Sequence, residues 1–262
     1  MKGILLAGGM GTRLKPLTNV ISKQLLPVYN KPMIYYPLSN LMLLGIREIL
    51  LISDNKNLPL FVDLLGDGSD FGIKIKYEVQ LKPNGIAEAL LIAEEFINGE
   101  SCALILGDNL LYGPGLGRDL RNKVAPTGAT ILCHHVPNPS NFGVVQFDEN
   151  DKIIDLVEKP INHISNWAIP GLYFYDSRAV ELAKSLTRSL RGELEITELN
   201  RAYLNLDELK LIRLSRGSAW LDMGNPKQLL EAGNFISIVE ERQGLEVGNP
   251  YQVAQLMQYV KK

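Results

Sequence analysis

Gly3-Ile4-Leu5-Leu6-Ala7-Gly8-Gly9-Met10-Gly11-Thr12-Arg13-Leu14 stands almost at the start of the chain. Residues 3–7 have the length and continuous apolar character of a buried strand. Glycines at positions 8, 9 and 11 then let the backbone turn tightly and approach an anion, so that loop amides can cradle phosphate. Arg13 and Lys15 add positive charge where a phosphate chain would lie. The loop matches neither the Walker pattern nor the Gly-x-Gly-x-x-Gly spacing of dinucleotide folds. On its own it is as readily a bare glycine-rich turn as a ligand site.

Outward from this loop, short apolar runs recur at residues 48–52, 73–79, 102–106 and 129–133. Helical stretches at 33–44, 58–65 and 86–97 lie between them. In the last of these Ile86, Leu90, Ala93 and Ile97 fall at helical spacing. Strands alternating with helices predict an α/β fold, a doubly wound, mainly parallel, Rossmann-like sheet. After Pro137 the texture changes. Runs at 143–147, 152–157 and 168–175 follow one another with turns, which predicts a strand-rich insertion. Helical patterns return at 177–186 and 196–204, then a strand at 208–214. A final helix is predicted over 226–241, with Leu229, Ala232, Ile236 and Val239 inward. No repeat or linker separates independent domains. We therefore expect one interrupted domain over 1–245, with a first part at about 1–136 and a second at about 137–245, followed by a short tail at 246–262.

The 262 residues are 46% hydrophobic and 21% charged, enough for a sizeable core, which excludes disordered and fibrous classes. Lys and Arg number 27 against 29 Asp and Glu, a net charge of -2 that argues against a nucleic acid polymer as partner. No apolar run reaches the roughly 18 residues of a membrane span, and the N-terminal run is too short for a signal peptide. Cys102 and Cys133 sit alone in apolar runs and read as reduced core thiols. These features together predict a soluble cytoplasmic protein. Of the three histidines, His134 and His135 are adjacent and point to opposite faces of a strand, so no role is assigned to them.

Ser22-Lys23-Gln24-Leu25-Leu26-Pro27 follows the glycine loop closely and holds Lys23 in an apolar, proline-ended frame that a surface lysine would not need. With Val28-Tyr29-Asn30-Lys31-Pro32-Met33, this stretch resembles the sugar-1-phosphate nucleotidyltransferases, and within that family the glucose-1-phosphate thymidylyltransferase branch. Leu106-Gly107-Asp108-Asn109, Glu158-Lys159-Pro160, Gly171-Leu172-Tyr173, Arg191-Gly192-Glu193-Leu194-Glu195-Ile196-Thr197 and Ala219-Trp220-Leu221-Asp222 extend the resemblance in the same order. It implies a fold of the nucleotide-diphospho-sugar transferase type and condensation of dTTP with glucose 1-phosphate to dTDP-glucose and pyrophosphate. That is a first step toward deoxysugar nucleotides such as dTDP-rhamnose. Because the attacking phosphate is already ionised, no general base is needed.

Asp108 after one apolar strand and Asp222 after another lie where open sheets place ligand sites, and two such carboxylates can share a hard cation such as Mg2+. An isolated Gly-Asp pair is more often a turn cap; the resemblance tips both positions toward metal ligands. It also implies that Arg13 and Lys23 face the triphosphate, that Gly8, Gly11 and Thr12 line the loop, and that Gln24 and Asn109 help hold substrate. Gln80 and Gly85 would read the base, Glu158 the sugar hydroxyls and Lys159 the sugar phosphate. Gly143 and Ile169 would touch the sugar. Met223-Gly224-Asn225-Pro226 and Pro170 depart from the family pattern, and family members continue further as a helical segment. Family habit and apolar content suggest a homo-oligomer. A sister enzyme using UTP, or a silent sugar-nucleotide sensor, are the rival readings.

Overall fold

The apolar run at the start of the chain forms the strand Lys2–Leu6 in the computed structural model, which describes residues 1–260. Ile4 and Leu5 are covered on both faces, which is why the run is continuous rather than alternating. The strand lies parallel to Glu48–Ser53, with Gly3 opposite Ile49 and Leu5 opposite Leu51, and Glu48–Ser53 lies parallel to Lys74–Val79. Cys102–Leu106 takes the other edge of Lys2–Leu6. Helices Tyr35–Leu43 and Leu58–Leu65 connect the parallel strands, so this is the helix-linked, mainly parallel sheet that the alternation predicted.

Two compact units can be traced. The first comprises Met1–Pro83, Leu104–Asn122 and the residues from Gly217 onward; the second comprises Asn84–Ala103 and Lys123–Arg216. Besides the parallel strands, the first unit contains an antiparallel ladder of Asn109–Tyr112 with Ala219–Asp222, in which Leu110 opposes Leu221 and Asn109 opposes Asp222. Helix Pro226–Gln243 starts at Asn225, whose side chain accepts the Gln228 N–H. Its buried Ala232 and Ile236 join Val28, Met33, Tyr36, Leu110 and Met223 in one apolar cluster.

In the second unit Ala129–His135 is the central strand. It pairs parallel with Leu209–Arg213 and antiparallel with Leu172–Tyr175 and Trp167–Ala168. Gly143–Phe147 and Ile153–Glu158 form the antiparallel arm predicted after Pro137.

Several expectations needed local correction. The helix expected over 86–97 is two short helices, Glu88–Ile92 and Glu94–Ile97, meeting at Ala93. The run at 168–175 is broken because Pro170 has no N–H to give a ladder; strands Trp167–Ala168 and Leu172–Tyr175 flank it. The strand Asn109–Tyr112 was not foreseen. The short tail expected at 246–262 contains helix Pro250–Leu256, capped by the Asn249 side chain.

Candidate active site

In the first unit the glycine loop leaves the C-terminal end of Lys2–Leu6. Gly9 and Gly11 have φ of 98° and 57°, a backbone that side-chain-bearing residues rarely adopt. The Thr18 hydroxyl donates to the Gly11 carbonyl at 2.7 Å, and a Cβ at Gly11 would stand 2.9 Å from the Thr18 methyl. A Cβ at Gly8 would lie 2.9 Å from the Gln80 carboxamide oxygen, so a side chain there would displace that of Gln80. Thr12 and Arg13 follow on the exposed 3-10 turn Thr12–Leu14. Beside the loop is a cleft of about 340 Å³, lined in part by Gly8, Gly9, Met10, Ser22, Gln80 and Leu81. Gln80 is buried at the end of Lys74–Val79, with its N–H bonded to the Ser53 carbonyl at 2.8 Å.

Asp108 occupies the turn between Cys102–Leu106 and Asn109–Tyr112, and Asp222 ends the strand that pairs with the latter. The Met223 N–H donates to the Asp108 carbonyl at 3.0 Å, so the ladder keeps the two acidic residues side by side. The Lys23 ammonium donates to Asp108 Oδ2, and Asn109 Nδ2 donates to Oδ1 at 3.1 Å. Burial alone would raise the Asp108 carboxyl, but the Lys23 charge and these hydrogen bonds outweigh it and lower it. Asp222 is pushed up to about 7, first by burial and then by the Asp108 charge, against the pull of Lys23 and Arg13. A Cβ at Gly224 would lie 2.6 Å from the Arg13 guanidinium and 3.2 Å from Asp222 Oδ2, so this glycine leaves Arg13 its place by the acid. The site is thus a buried and a half-buried carboxylate, the cations of Lys23 and Arg13, and a glycine loop.

Gln24 and Asn109 do not offer their side chains freely. Gln24, 1% exposed, gives its amide to the Gly8 carbonyl at 3.1 Å, and Asn109 accepts from Trp220 Nε1 at 2.7 Å while holding Asp108.

The second unit brings four predicted residues together. Glu158 ends Ile153–Glu158, and its Oε2 accepts from the Thr197 hydroxyl at 2.6 Å. A Cβ at Gly143 would lie 3.5 Å from that same oxygen and 3.6 Å from the Ile169 side chain. The Ile169 N–H donates to the Gly143 carbonyl at 2.8 Å. Lys159 Nζ lies 3.2 Å from Glu158 Oε1, on a backbone with φ of 44° whose N–H is bonded to the Phe142 carbonyl. Such a residue is held in a costly conformation by its surroundings, as happens at functional positions. Arg191, to which no role was given from sequence, reaches within 3.6 Å of Glu158 and pairs with both oxygens of Glu195. Its place in the matched motif was the available signal. Gly85, with φ of 110°, is packed so closely on the Leu194 backbone that a Cβ would lie 2.3 Å from the Leu194 carbonyl oxygen.

The nucleotidyl transferase family model matches residues 2–238. The chain belongs to that family. This nucleotidyltransferase is 52% identical to glucose-1-phosphate thymidylyltransferase of Mycolicibacterium smegmatis, over 97% of this chain and 88% of the relative. It is 53% identical to the enzyme of the same name from Neisseria meningitidis, with the same coverage. A crystal structure from Bacillus anthracis, assigned to the same activity and containing a sucrose, superposes with a TM-score of 0.82 at 38% identity, covering 90% of this chain and 94% of that one. UDP-glucose pyrophosphorylase complexed with UDP-glucose shares the fold, with a TM-score of 0.78 at 22% identity, over 92% of this chain and 99% of that one. The sequence places this nucleotidyltransferase among the glucose-1-phosphate thymidylyltransferases.

Proposed function

We propose that the chain condenses dTTP with glucose 1-phosphate, releasing pyrophosphate and forming dTDP-glucose. The observation that carries this reading is the meeting of Lys23, Asp108 and Asp222 beside the glycine loop, in a chain about half identical to thymidylyltransferases. A phosphate oxygen of glucose 1-phosphate attacks the α phosphorus of dTTP in line, and the bond to the bridging oxygen of pyrophosphate breaks. Gly9 and Gly11 offer backbone N–H groups to the triphosphate. Lys23 and Arg13 sit where negative charge accumulates on the departing pyrophosphate, and they act most strongly in the transition state. Glu158, steadied by Thr197, accepts sugar hydroxyls, and Lys159 with Arg191 neutralises the sugar phosphate.

Asp108 and Asp222 fit a Mg2+ ion, since two neighbouring carboxylates, of which Asp108 raises the proton affinity of Asp222, are relieved by a hard divalent cation. Among the described residues no group of three or more His, Cys, Asp or Glu side chains forms a metal site, and two carboxylates with phosphate oxygens and waters suit Mg2+. When bound, the ion supplies charge neutralisation and alignment of the triphosphate.

Gln80 would read the thymine edge and select dTTP over purine nucleotides. The free thiols Cys102 and Cys133 support a reducing, cytoplasmic setting; among the described residues no helix is long and apolar enough to cross a membrane. The exposed Leu230 and Ile238, two turns apart on Pro226–Gln243, support a homo-oligomer. Pyrophosphate release from dTTP, glucose 1-phosphate and Mg2+ tests the reaction. Robust release in the native chain that is abolished in a folded Asp108→Asn variant is expected. Absence of release with dTTP, alongside release with another nucleotide, would transfer the assignment to a sister activity.

A further inference from the structure

Four residues, Asp54 and Asn57 from one stretch of chain and Ser22 and Gln24 from another, form a hydrogen-bonded chain to the glycine loop, all within the first unit. Asp54 closes a turn after Glu48–Ser53: its Oδ1 accepts the N–H groups of Lys56 at 2.9 Å and Asn57 at 3.0 Å. Its other oxygen accepts from Asn57 Nδ2 at 2.7 Å. That bond decides which way the Asn57 carboxamide faces, and turns Asn57 Oδ1 to accept the Ser22 N–H at 2.9 Å, across 35 residues of sequence. The Ser22 hydroxyl donates to Gln24 Oε1 at 2.5 Å, which leaves the Gln24 NH2 to donate to the Gly8 carbonyl. Ser22 is 5% exposed and Gln24 1%, so both are largely withdrawn from solvent.

The end of the relay matters because of peptide geometry. In a planar trans peptide the C=O and N–H point in opposite directions. Pulling the Gly8 carbonyl toward Gln24 therefore aims the Gly9 N–H away from it. Gly9 lines the 340 Å³ cleft, as do Gly8, Ser22, Asp54 and Asn57. The φ of 98° at Gly9 and the open space around it leave nothing at Gly9 itself to hold that orientation.

We propose that Asp54 and Asn57 are positioning residues for the nucleotide, acting through Ser22 and Gln24 to hold the Gly8-Gly9 peptide with its N–H turned toward the triphosphate. This rests on the dTTP reading above. Neither residue touches the reacting atoms; Asp54 sets the polarity of the Asn57 carboxamide, Asn57 Oδ1 anchors the Ser22 backbone N–H and so the place from which the Ser22 hydroxyl reaches Gln24, and the Asp54–Asn57 polarity can be exchanged as a pair. In Asn57→Asp the new carboxylate faces Asp54 and the pair repels. In Asp54→Asn with Asn57→Asp the donor and acceptor exchange places, and Ser22 still finds an acceptor.

The test is dTTP titration calorimetry and steady-state kinetics on the native chain, N57A, N57D and D54N/N57D, with melting temperatures of the same preparations. Both N57A and N57D should weaken dTTP affinity and raise its KM about tenfold, the effect of one misaligned donor to a charged group. The KM for glucose 1-phosphate and kcat should change less than about threefold on the same reasoning. The double variant should return to within about threefold of native. The 13C resonance of the Gly8 carbonyl in the nucleotide-free protein gives a second readout. It should shift in N57A and return in D54N/N57D, whichever nucleotide the enzyme uses. Native-like dTTP affinity in N57A, a folded double variant no better than N57D, or a Gly8 resonance indifferent to N57A would each overturn the proposal. A native chain that ignores dTTP but keeps the Gly8 response would overturn the substrate reading and leave the relay standing.

Discussion

Replacing Asp222 by Asn should make the metal-free protein more stable at alkaline pH while removing its activity. The Asp222 carboxyl is raised from 3.8 to about 7 by burial and by Asp108. Below pH 3.8 the acid is protonated in both folded and unfolded chains and has no effect on stability. Between 3.8 and 7 the unfolded chain releases the proton while the fold retains it, so stability falls as pH rises. Above 7 the fold bears the full cost of the charge, about 4 kcal/mol for a shift of this size at 1.36 kcal/mol per pH unit. The carboxamide of Asn has the same shape and no charge, and it leaves the Lys23 contact with Asp108 intact. For a chain of this size, relief of that cost raises the melting temperature by about 10 °C. Calorimetry of native and D222N protein in EDTA, from pH 4 to pH 8.5, measures it. The variant should melt higher at pH 8.5, and the gap should shrink as pH is lowered through 7 and close near 3.8. Millimolar Mg2+ should raise the native protein and leave the variant unmoved, because an ion bound only to the folded state stabilises it. A D222N protein that melts at or below the native one at pH 8.5 without metal would refute the reasoning.

Lys23→Ala should lower kcat about 100-fold or more and shift the KM for dTTP much less, because its charge matters most as pyrophosphate departs. A change confined to KM would make Lys23 a binding residue only. Gly143→Ala places a methyl 3.2 Å from the Thr197 hydroxyl and 3.5 Å from Glu158 Oε2. It should raise the KM for glucose 1-phosphate about tenfold with the dTTP KM unchanged, and an equal rise in both would move Gly143 out of the sugar site. UTP, which differs from dTTP in the base by one methyl, should be a detectable but poorer substrate, since a methyl-sized difference supplies only about 1–3 kcal/mol. Equal use of dTTP and dATP in competition would contradict base reading by Gln80.

The sequence alone decided whatever depends on neighbours along the chain. Continuous apolar runs at residues 3–7 and 102–106 announced strands because burial on both faces demands them. The helix at Leu58–Leu65 fell where its apolar spacing put it. The glycines at 8, 9 and 11 marked the loop because only glycine adopts such a backbone freely. Motif order then singled out Lys23, Asp108, Glu158 and Asp222 as candidates by residue type. What only the tertiary structure decided is which of these groups face each other. That Asn109 pairs with Asp222 depends on the register of two strands more than a hundred residues apart, with no local signal. Strand Asn109–Tyr112 was hidden because four residues carry too little periodicity to stand out. Gln24 was expected to help hold the nucleotide, and only the fold shows that its carboxamide bonds Ser22 and the Gly8 carbonyl. Asn57 had no pattern to betray it, because its partner Ser22 is a backbone N–H, and a hydrogen bond to a backbone group asks for no particular residue type at the other end. The perturbed proton affinity of Asp222 likewise belongs to no sequence position. It arises from burial and from a second carboxylate that folding brings alongside, energies that exist only once the chain has closed around them.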